Sequence, residues 1–228
     1  MANPAELLHR QFIEWNTATA SGSAKDQRNP DGNSWLAHRM AVRHLEDIEL
    51  LLDEMSAAGR DFPVYRRHIP DWYNAIFCFP KGWTTQGTGH IRPVLIDHLE
   101  TLSSLLGHYV PTVKENGLDQ IRAHADSVRS LLVSDDEIPE ELRLHAAEVI
   151  NHLLWCVDNY SIVGDFRLQD ALERLNATLL RVVSTTTQEK REKMWGPVMT
   201  NFIWPFTTNI VAAIPSQVLT MWALGTGS

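Results

Sequence analysis

Histidines paired with acidic residues at helical spacing are the first candidates for chemistry in this chain. Two such pairs occur, His44 with Asp47 and His145 with Glu148, each three residues apart. That spacing places both side chains on one face of an α-helix, where they can reach a single metal ion. A di-metal carboxylate bundle needs Glu-x-x-His on two helices and further inward-facing glutamates, an order that this sequence lacks. Half-buried histidines are therefore the alternative, and we predict no metal and no other cofactor.

A second candidate is the segment Arg39-Met40-Ala41-Val42-Arg43-His44. It resembles the Arg-x4-6-His element of the HEPN ribonucleases, helical bundles that dimerise to bring two such elements together. The resemblance implies an RNA-cleaving dimer in which Arg39 steadies the scissile phosphate and His44 transfers a proton. Met40 stands where that family usually has a polar residue. A solvated helix face is the alternative for Arg39 and His44, and we favour it.

Other catalytic motifs are absent from the sequence. It contains no G-x-S-x-G element, no glycine-rich phosphate loop, and no histidine near Cys78 or Cys156 that would indicate an activated thiolate. Both cysteines lie among apolar residues, which favours buried free thiols in a reducing cytosol. We therefore predict a binding or assembly role for a protein that is not an enzyme.

Aromatic and basic residues concentrate between Asp61 and His90. Such side chains could stack on a nucleotide or a single strand and contact its phosphates. The alternative, which we favour, is a rigid aromatic plug over the end of a helical bundle. The candidate binding residues are Arg66, Arg67, Trp72, Tyr73 and Trp83.

Composition limits the classes of function. A net charge of −8 over 228 residues disfavours nucleic acid as a partner, since binding a duplex calls for a basic face. An apolar content of 44% is enough for a sizeable core. The first residues show no basic region followed by an apolar one, so we expect a cytoplasmic protein without a secretory signal.

Apolar residues at helical spacing predict an all-α bundle of about six helices to hold these candidates. The bundle would cover residues 1–194, with the aromatic region 61–90 as an insertion. Three prolines in that insertion predict one or two short helices, around residues 63–68 and 70–78, and then an irregular loop, while residues 21–33 read as a polar loop. The predicted longer helices cover about residues 4–18, 34–58, 93–109, 118–132, 139–163 and 165–183.

A charge-free stretch ends the chain. Residues 195–228 contain no Asp, Glu, Lys, Arg or His, and the run 202–224 is about as long as a helix that crosses a ~30 Å hydrocarbon layer. Trp204 and Trp222 would lie roughly 27 Å apart along such a helix, close to the separation of the aromatic belts of a bilayer. Three basic residues just upstream suit an inner membrane face and could attract anionic lipid. They are Lys190, Arg191 and Lys193.

Small polar residues give this stretch a second interpretation. Asn209, Ala213, Ser216 and Thr220 recur at spacings of four, three and four, so they share one face of a helix. Such a face packs on another helix, lines a wet pore, or lies in the core of a soluble bundle, and two prolines weaken the stretch as a membrane span. All three alternatives stay open at this stage.

These patterns predict a non-enzymatic interaction protein. It would act through membrane association or oligomerisation of residues 195–228, with a second copy or another protein as its partner. A bacterial defence or toxin-type effector has this layout by analogy.

Overall fold

The structure is a computed structural model that describes residues 2–16, 21–28, 35–200, 202 and 204–207. The described chain is all-α, as predicted. It divides into two compact units, Met1–Tyr109 (unit 1) and Val110–Ser228 (unit 2). This division does not coincide with the predicted boundary after residue 194, because the described part of the C-terminal stretch packs within unit 2.

Helix α1 organises unit 1. The Asn3 side chain accepts a hydrogen bond from the backbone N–H of Glu6, which caps the first turn of α1. Its apolar face packs against α3 and α5, and α3 also packs against α4. The helices of unit 1 are α1 (Pro4–Trp15), α2 (Ala24–Arg28), α3 (Trp35–Ala57), α4 (Pro63–Phe77) and α5 (Pro93–Leu106).

The structure decides one open prediction for unit 1 and shows that another is wrong. Of the one or two short helices predicted after residue 62, it forms a single helix, α4, and Pro70 lies inside it. Pro70 lacks an N–H and costs the helix about 3 kcal/mol, but α4 buries apolar side chains on both sides of it, at Ile69 and at Ile76. The polar loop 21–33 contains a short helix, α2, whose ends Ala24 and Arg28 are buried. Packing within unit 1 therefore outweighs local preference at both places.

Helix α7 lies against both α6 and α8 in unit 2. The predicted end of the fifth helix at Gly164 is displaced: α7 ends at Asp158, and Gly164 makes a kink inside α8 with φ of 78°. Glycine adopts this left-handed φ without the strain that a side chain would add. The helices are α6 (Gly117–Ser134), α7 (Glu140–Asp158), α8 (Tyr160–Thr185), α9 (Gln188–Lys190), a π-helical turn (Arg191–Trp195) and α10 (Gly196–Thr200).

After α10, the described residues 202 and 204–207 of the C-terminal stretch are not helical, so the predicted helix from residue 202 is wrong there. Phe206 instead forms an isolated antiparallel bridge with Val113. Pro205 contributes to this outcome because it has no N–H to donate within a helix. None of the helices in the described part of the chain has both the length and the apolar character needed to cross a membrane.

Candidate functional site

The charge-free C-terminal stretch begins in the core of unit 2. Trp195 is fully buried, and its indole Nε1–H donates a hydrogen bond of 3.0 Å to the carboxylate of Asp135. Asp135 is itself 0% exposed and also accepts from the backbone N–H of Glu137 at 3.1 Å. A buried tryptophan with a satisfied N–H is a strong packing anchor. Trp195, the first residue of the stretch, is therefore packed in the core of unit 2.

The acidic loop 135–137 binds the basic residue Lys190. The ammonium group of Lys190 lies 3.0 Å from Asp135 and 3.4 Å from Glu137, and it also contacts Asp136. The hydrogen bonds that the Lys190 ammonium group donates to Asp136 and Asp135 raise the pKa of Lys190. Burial by itself would raise the pKa of Asp135, but hydrogen bonds from Trp195, Lys190 and the Glu137 backbone bring that pKa below its ordinary value. Both partners are therefore charged at neutral pH.

Two of the three charges of the predicted lipid-facing patch, those of Lys190 and Lys193, are paired with carboxylates. Lys190 is held by the acidic loop, with its side chain 27% exposed. Arg191 donates to the Thr186 carbonyl at 3.3 Å, while the exposed Lys193 pairs with Glu189 at 2.7 Å. Charges neutralised within the protein attract anionic lipid weakly. These contacts remove most of the electrostatic support for a membrane-facing role of the patch.

A second anchor holds residues 204–207. The Thr207 N–H donates to the Thr112 carbonyl at 2.8 Å, and the Lys114 N–H donates to the Pro205 carbonyl at 2.7 Å. Phe206, between these two bonds, is 0% exposed. The chain just before residue 208 is thus paired to a fixed edge of unit 2.

Close approach at this second anchor requires a glycine. A Cβ added at Gly117 would lie 2.6 Å from a methyl carbon of Val113 and 3.0 Å from the Pro205 carbonyl oxygen. Separations this short are repulsive. Gly117, at the start of α6, therefore allows residues 204–207 to pack closely against α6.

Of the interaction residues predicted in the C-terminal stretch, one lies within the described residues and the others lie outside them. Trp204 is half-buried, and its ring centroid lies 5.4 Å from that of Phe206. The predicted distance of roughly 27 Å between Trp204 and Trp222 assumes a continuous helix that includes Trp204. Trp204 is not on a helix, so this assumption is wrong at Trp204. The remaining candidates lie outside the described residues: Asn209, Ala213, Ser216, Thr220 and Trp222.

A cavity of about 490 Å³ lies between α6, α10 and Phe202. His124 lines it, stacked on Phe202 with ring centroids 4.0 Å apart, and its Nε2 atom is buried without a hydrogen-bond partner. Burial lowers the pKa of His124 to about 4, so the ring is neutral at pH 7. No sequence pattern indicates this contact, because His124 and Phe202 are far apart in the chain.

The structure separates the proposed nuclease pair. Both residues lie on α3, but Arg39 is exposed whereas His44 is only 4% exposed. Residues five apart on a helix point about 140° away from each other. His44 is therefore not part of a solvated face, and the two side chains do not share a surface on which they could act on RNA together.

The predicted metal ligands are likewise dispersed. His44 and Asp47 are buried in unit 1, while His145 is half-buried and Glu148 is exposed on α7 of unit 2. Within the described ranges, no three His, Cys, Asp or Glu side chains are grouped so as to hold a metal ion. Neither pair gains the further ligands that a site of this kind needs.

The aromatic candidates divide between core and surface. Trp72 is 0% exposed and donates to the Leu95 carbonyl at 3.0 Å. Trp83 packs its ring 4.6 Å from that of His38. The Tyr73 hydroxyl donates to Glu49 at 2.7 Å. Two of the three aromatic candidates are thus committed to structural hydrogen bonds, which agrees better with a structural plug than with a stacking surface.

The two arginine candidates have different surroundings. Arg66 pairs with Asp53 at 2.6 Å and donates to the Leu52 carbonyl at 2.8 Å. Arg67 is exposed and contacts the Pro63 carbonyl of its own helix at 3.3 Å. Neither arginine, and none of the three aromatic candidates, lines the cavity at His124.

One cysteine does have a histidine neighbour, contrary to the sequence prediction. The Cys156 sulfur lies 3.8 Å from Nε2 of His152, one turn earlier on α7. Burial nevertheless raises the pKa of Cys156 to about 11, so the thiol is protonated at neutral pH. This pair therefore does not form an activated nucleophile.

Comparisons of the chain with protein-family models, with curated proteins and with solved structures found no match.

Proposed function

We propose that this is a non-enzymatic interaction protein in which residues 208–228 bind protein, in the first place a second copy of the chain. Unit 2 serves as the anchor that presents them. The observation that carries this proposal is the double attachment of the preceding residues, at Trp195 and at Phe206, both fully buried. A segment attached in this way starts from a fixed point, which reduces the entropy lost on binding.

Protein is a better ligand for this segment than lipid for two reasons. Small residues at one helical face permit close packing of helices, whereas Pro215 and the polar groups weaken a membrane span. One of the three basic residues that would attract anionic lipid, Lys190, is bound to Asp135. Contact with an inner membrane face, and with it a toxin-type effector role, is the competing proposal.

The decisive experiment uses a chain that ends at Thr207. It keeps both buried aromatic anchors, so we expect it to stay folded and monomeric, whereas the full chain forms oligomers. Size-exclusion chromatography with light scattering measures both masses. A chain ending at Met194 is the control: it lacks Trp195 and Phe206 and should unfold or aggregate as its core becomes exposed. Equal masses for the full chain and the chain ending at Thr207 would contradict the proposal.

Substitutions in the full chain separate protein from lipid as the ligand. Ala213→Leu together with Ser216→Leu enlarges the small face and should abolish the oligomer, while Ile210→Leu on the opposite side should leave it intact. Flotation with anionic lipid vesicles is measured in parallel. If the full chain floats and the double variant floats at least as well, the segment binds lipid and the proposal is wrong.

A further inference from the structure

Unit 1 buries a guanidinium group beside a cavity. Arg28, at the end of α2, is 3% exposed, and its Nη1 donates to the Ala75 carbonyl at 2.7 Å. Weaker bonds of 3.4 Å join it to the carbonyls of Ile76 and Thr88, and its carbon Cζ lies 5.0 Å above the ring of Trp15. Its Nε atom is buried and has no partner. Arg28 therefore retains an unused donor in a nearly dry position.

Among the residues that the structure describes, no carboxylate balances the charge of Arg28. No ion pair joins it to any acidic residue in the described ranges of the chain. Carbonyls at the end of α4 offset part of the charge, since a helix carries partial negative charge at its C-terminus. Buried charges in proteins are normally paired, so an anion would improve the energetics of this site. Burial also lowers the pKa of Arg28, which reports the same cost.

Positive charge dominates the lining of the adjacent cavity, whose volume is about 290 Å³. Its charged side chains are Arg28, Lys81 and Arg92 against one carboxylate, Asp71. Asp71 already pairs with Arg92 at 3.0 Å. In a chain whose net charge is −8, such a local excess of cations is unusual and attracts anions.

The other lining groups suit a ligand that is more than a bare ion. Phe79 is 69% exposed at the edge of the cavity and offers an aromatic face. The volume is at the small end of the range for ligand pockets. It matches a sugar phosphate or a mononucleotide rather than a polymer.

We propose that this cavity binds a small phosphate monoester, with Lys81, Arg92 and the buried guanidinium of Arg28 facing the phosphate and Phe79 against the organic part. Arginine and lysine bind phosphate through charge-assisted hydrogen bonds, which are the stronger class. This site lies wholly in unit 1 and does not depend on the function proposed for residues 208–228.

Isothermal titration of the full chain tests the proposal with three probes. Adenosine 5′-monophosphate and ribose 5-phosphate should bind, and adenosine, which lacks the phosphate, should bind at least tenfold more weakly or not at all. Raising the salt concentration should weaken the binding of both phosphates. Failure of both phosphates to bind, or equal binding of adenosine and its monophosphate, would overturn the proposal.

Variants locate the binding in this cavity. Lys81→Ala, at an exposed position that should not affect folding, is expected to weaken phosphate binding about tenfold. Asp71→Asn removes the one competing carboxylate and should strengthen binding about threefold. Arg67→Ala is the matched control, because Arg67 is an exposed arginine of α4 outside the cavity lining. If Lys81→Ala and Arg67→Ala have the same effect, the phosphate binds elsewhere and the proposal fails.

Discussion

Asp135 in unit 2 and Arg28 in unit 1 are both almost completely buried charges, and each holds a short helical segment against its own unit. Asp135 is met by an opposite charge, the ammonium group of Lys190 at 3.0 Å, and by the Trp195 N–H. Arg28 is met by backbone carbonyls and an aromatic ring. The paired charge of Asp135 makes a structural anchor. Arg28 pairs with no carboxylate in the described part of the chain and lies beside a cavity, which makes it a candidate binding site.

The largest effect is expected from Asp135→Ala. It leaves the buried Trp195 N–H and the Lys190 ammonium without their main acceptor, so unfolding free energy should fall by about 4 kcal/mol. Urea denaturation followed by tryptophan fluorescence measures this. Asp136→Ala is the matched control, because Asp136 also contacts Lys190 but its side chain is 90% exposed. A similar loss in both variants would contradict the role assigned to burial.

As pH falls, the stability that depends on His124 should be lost before the stability that depends on Asp135. The folded pKa of His124 is about 4 against an ordinary value of 6.5, so the unfolded chain takes up the proton first as pH falls. Stability should therefore decrease by about 2 kcal/mol between pH 6.5 and 4. The contribution of Asp135, whose folded pKa is lowered, is lost only as pH falls through that lowered value, below the ordinary 3.8. Arg28 keeps its charge throughout.

His124→Leu provides the control for this pH dependence. The variant should lose most of the slope of unfolding free energy between pH 6.5 and 4, since no proton is then taken up at this position. Urea titrations at a series of pH values show the slope directly. An unchanged slope would mean that other groups cause the acid sensitivity.

Arg28→Met tests how much the buried charge in unit 1 contributes to stability, for comparison with Asp135 in unit 2. It removes hydrogen bonds to three carbonyls, but it also removes the cost of burying a charge that no carboxylate balances. We therefore expect a loss of about 2 kcal/mol in thermal or urea denaturation, smaller than for Asp135→Ala. A loss greater than that of Asp135→Ala would show that Arg28 is the stronger structural anchor of the two.

Gly117→Ala should have the smallest effect. The added methyl would press on Val113 and Pro205 and loosen the second anchor, at a cost of about 1 kcal/mol after the helix-favouring effect of alanine. Amide hydrogen exchange at Thr207, whose N–H is paired in the anchor, should become faster. Gly196→Ala is the control, since a Cβ there would meet its nearest atom at 3.4 Å. Equal exchange rates in the two variants would argue against a tight fit at Gly117.

Periodicity located most of the fold from the sequence. The stripe of apolar residues in α3 predicted its bounds almost to the residue, and the long helices of unit 2 were also predicted. Such helices bury a continuous apolar face, so their signal is local and strong. The predictions for α2 and for residues 204–207 are wrong, and the sequence left open whether α4 continues through Pro70, because packing partners distant in the chain decide these elements.

The sites were less predictable than the fold. Asp135, Asp136 and Glu137 were visible as an acidic link, and Lys190 as part of a basic patch, but their pairing joins residues more than fifty positions apart. Charge complementarity between the two groups was the one signal that could have suggested it. For Arg28, a residue in a polar loop, the sequence carried no sign of burial.

The sequence by itself determined an all-α chain, an acidic surface and a charge-free C-terminal stretch, because composition and helical period are properties of neighbouring residues. Only the tertiary structure decided that this stretch begins inside unit 2, that Lys190 faces Asp135, and that Arg28 lies buried beside a cavity. Each of these depends on contacts across long separations in the chain, where burial changes what a charge costs and what it can bind.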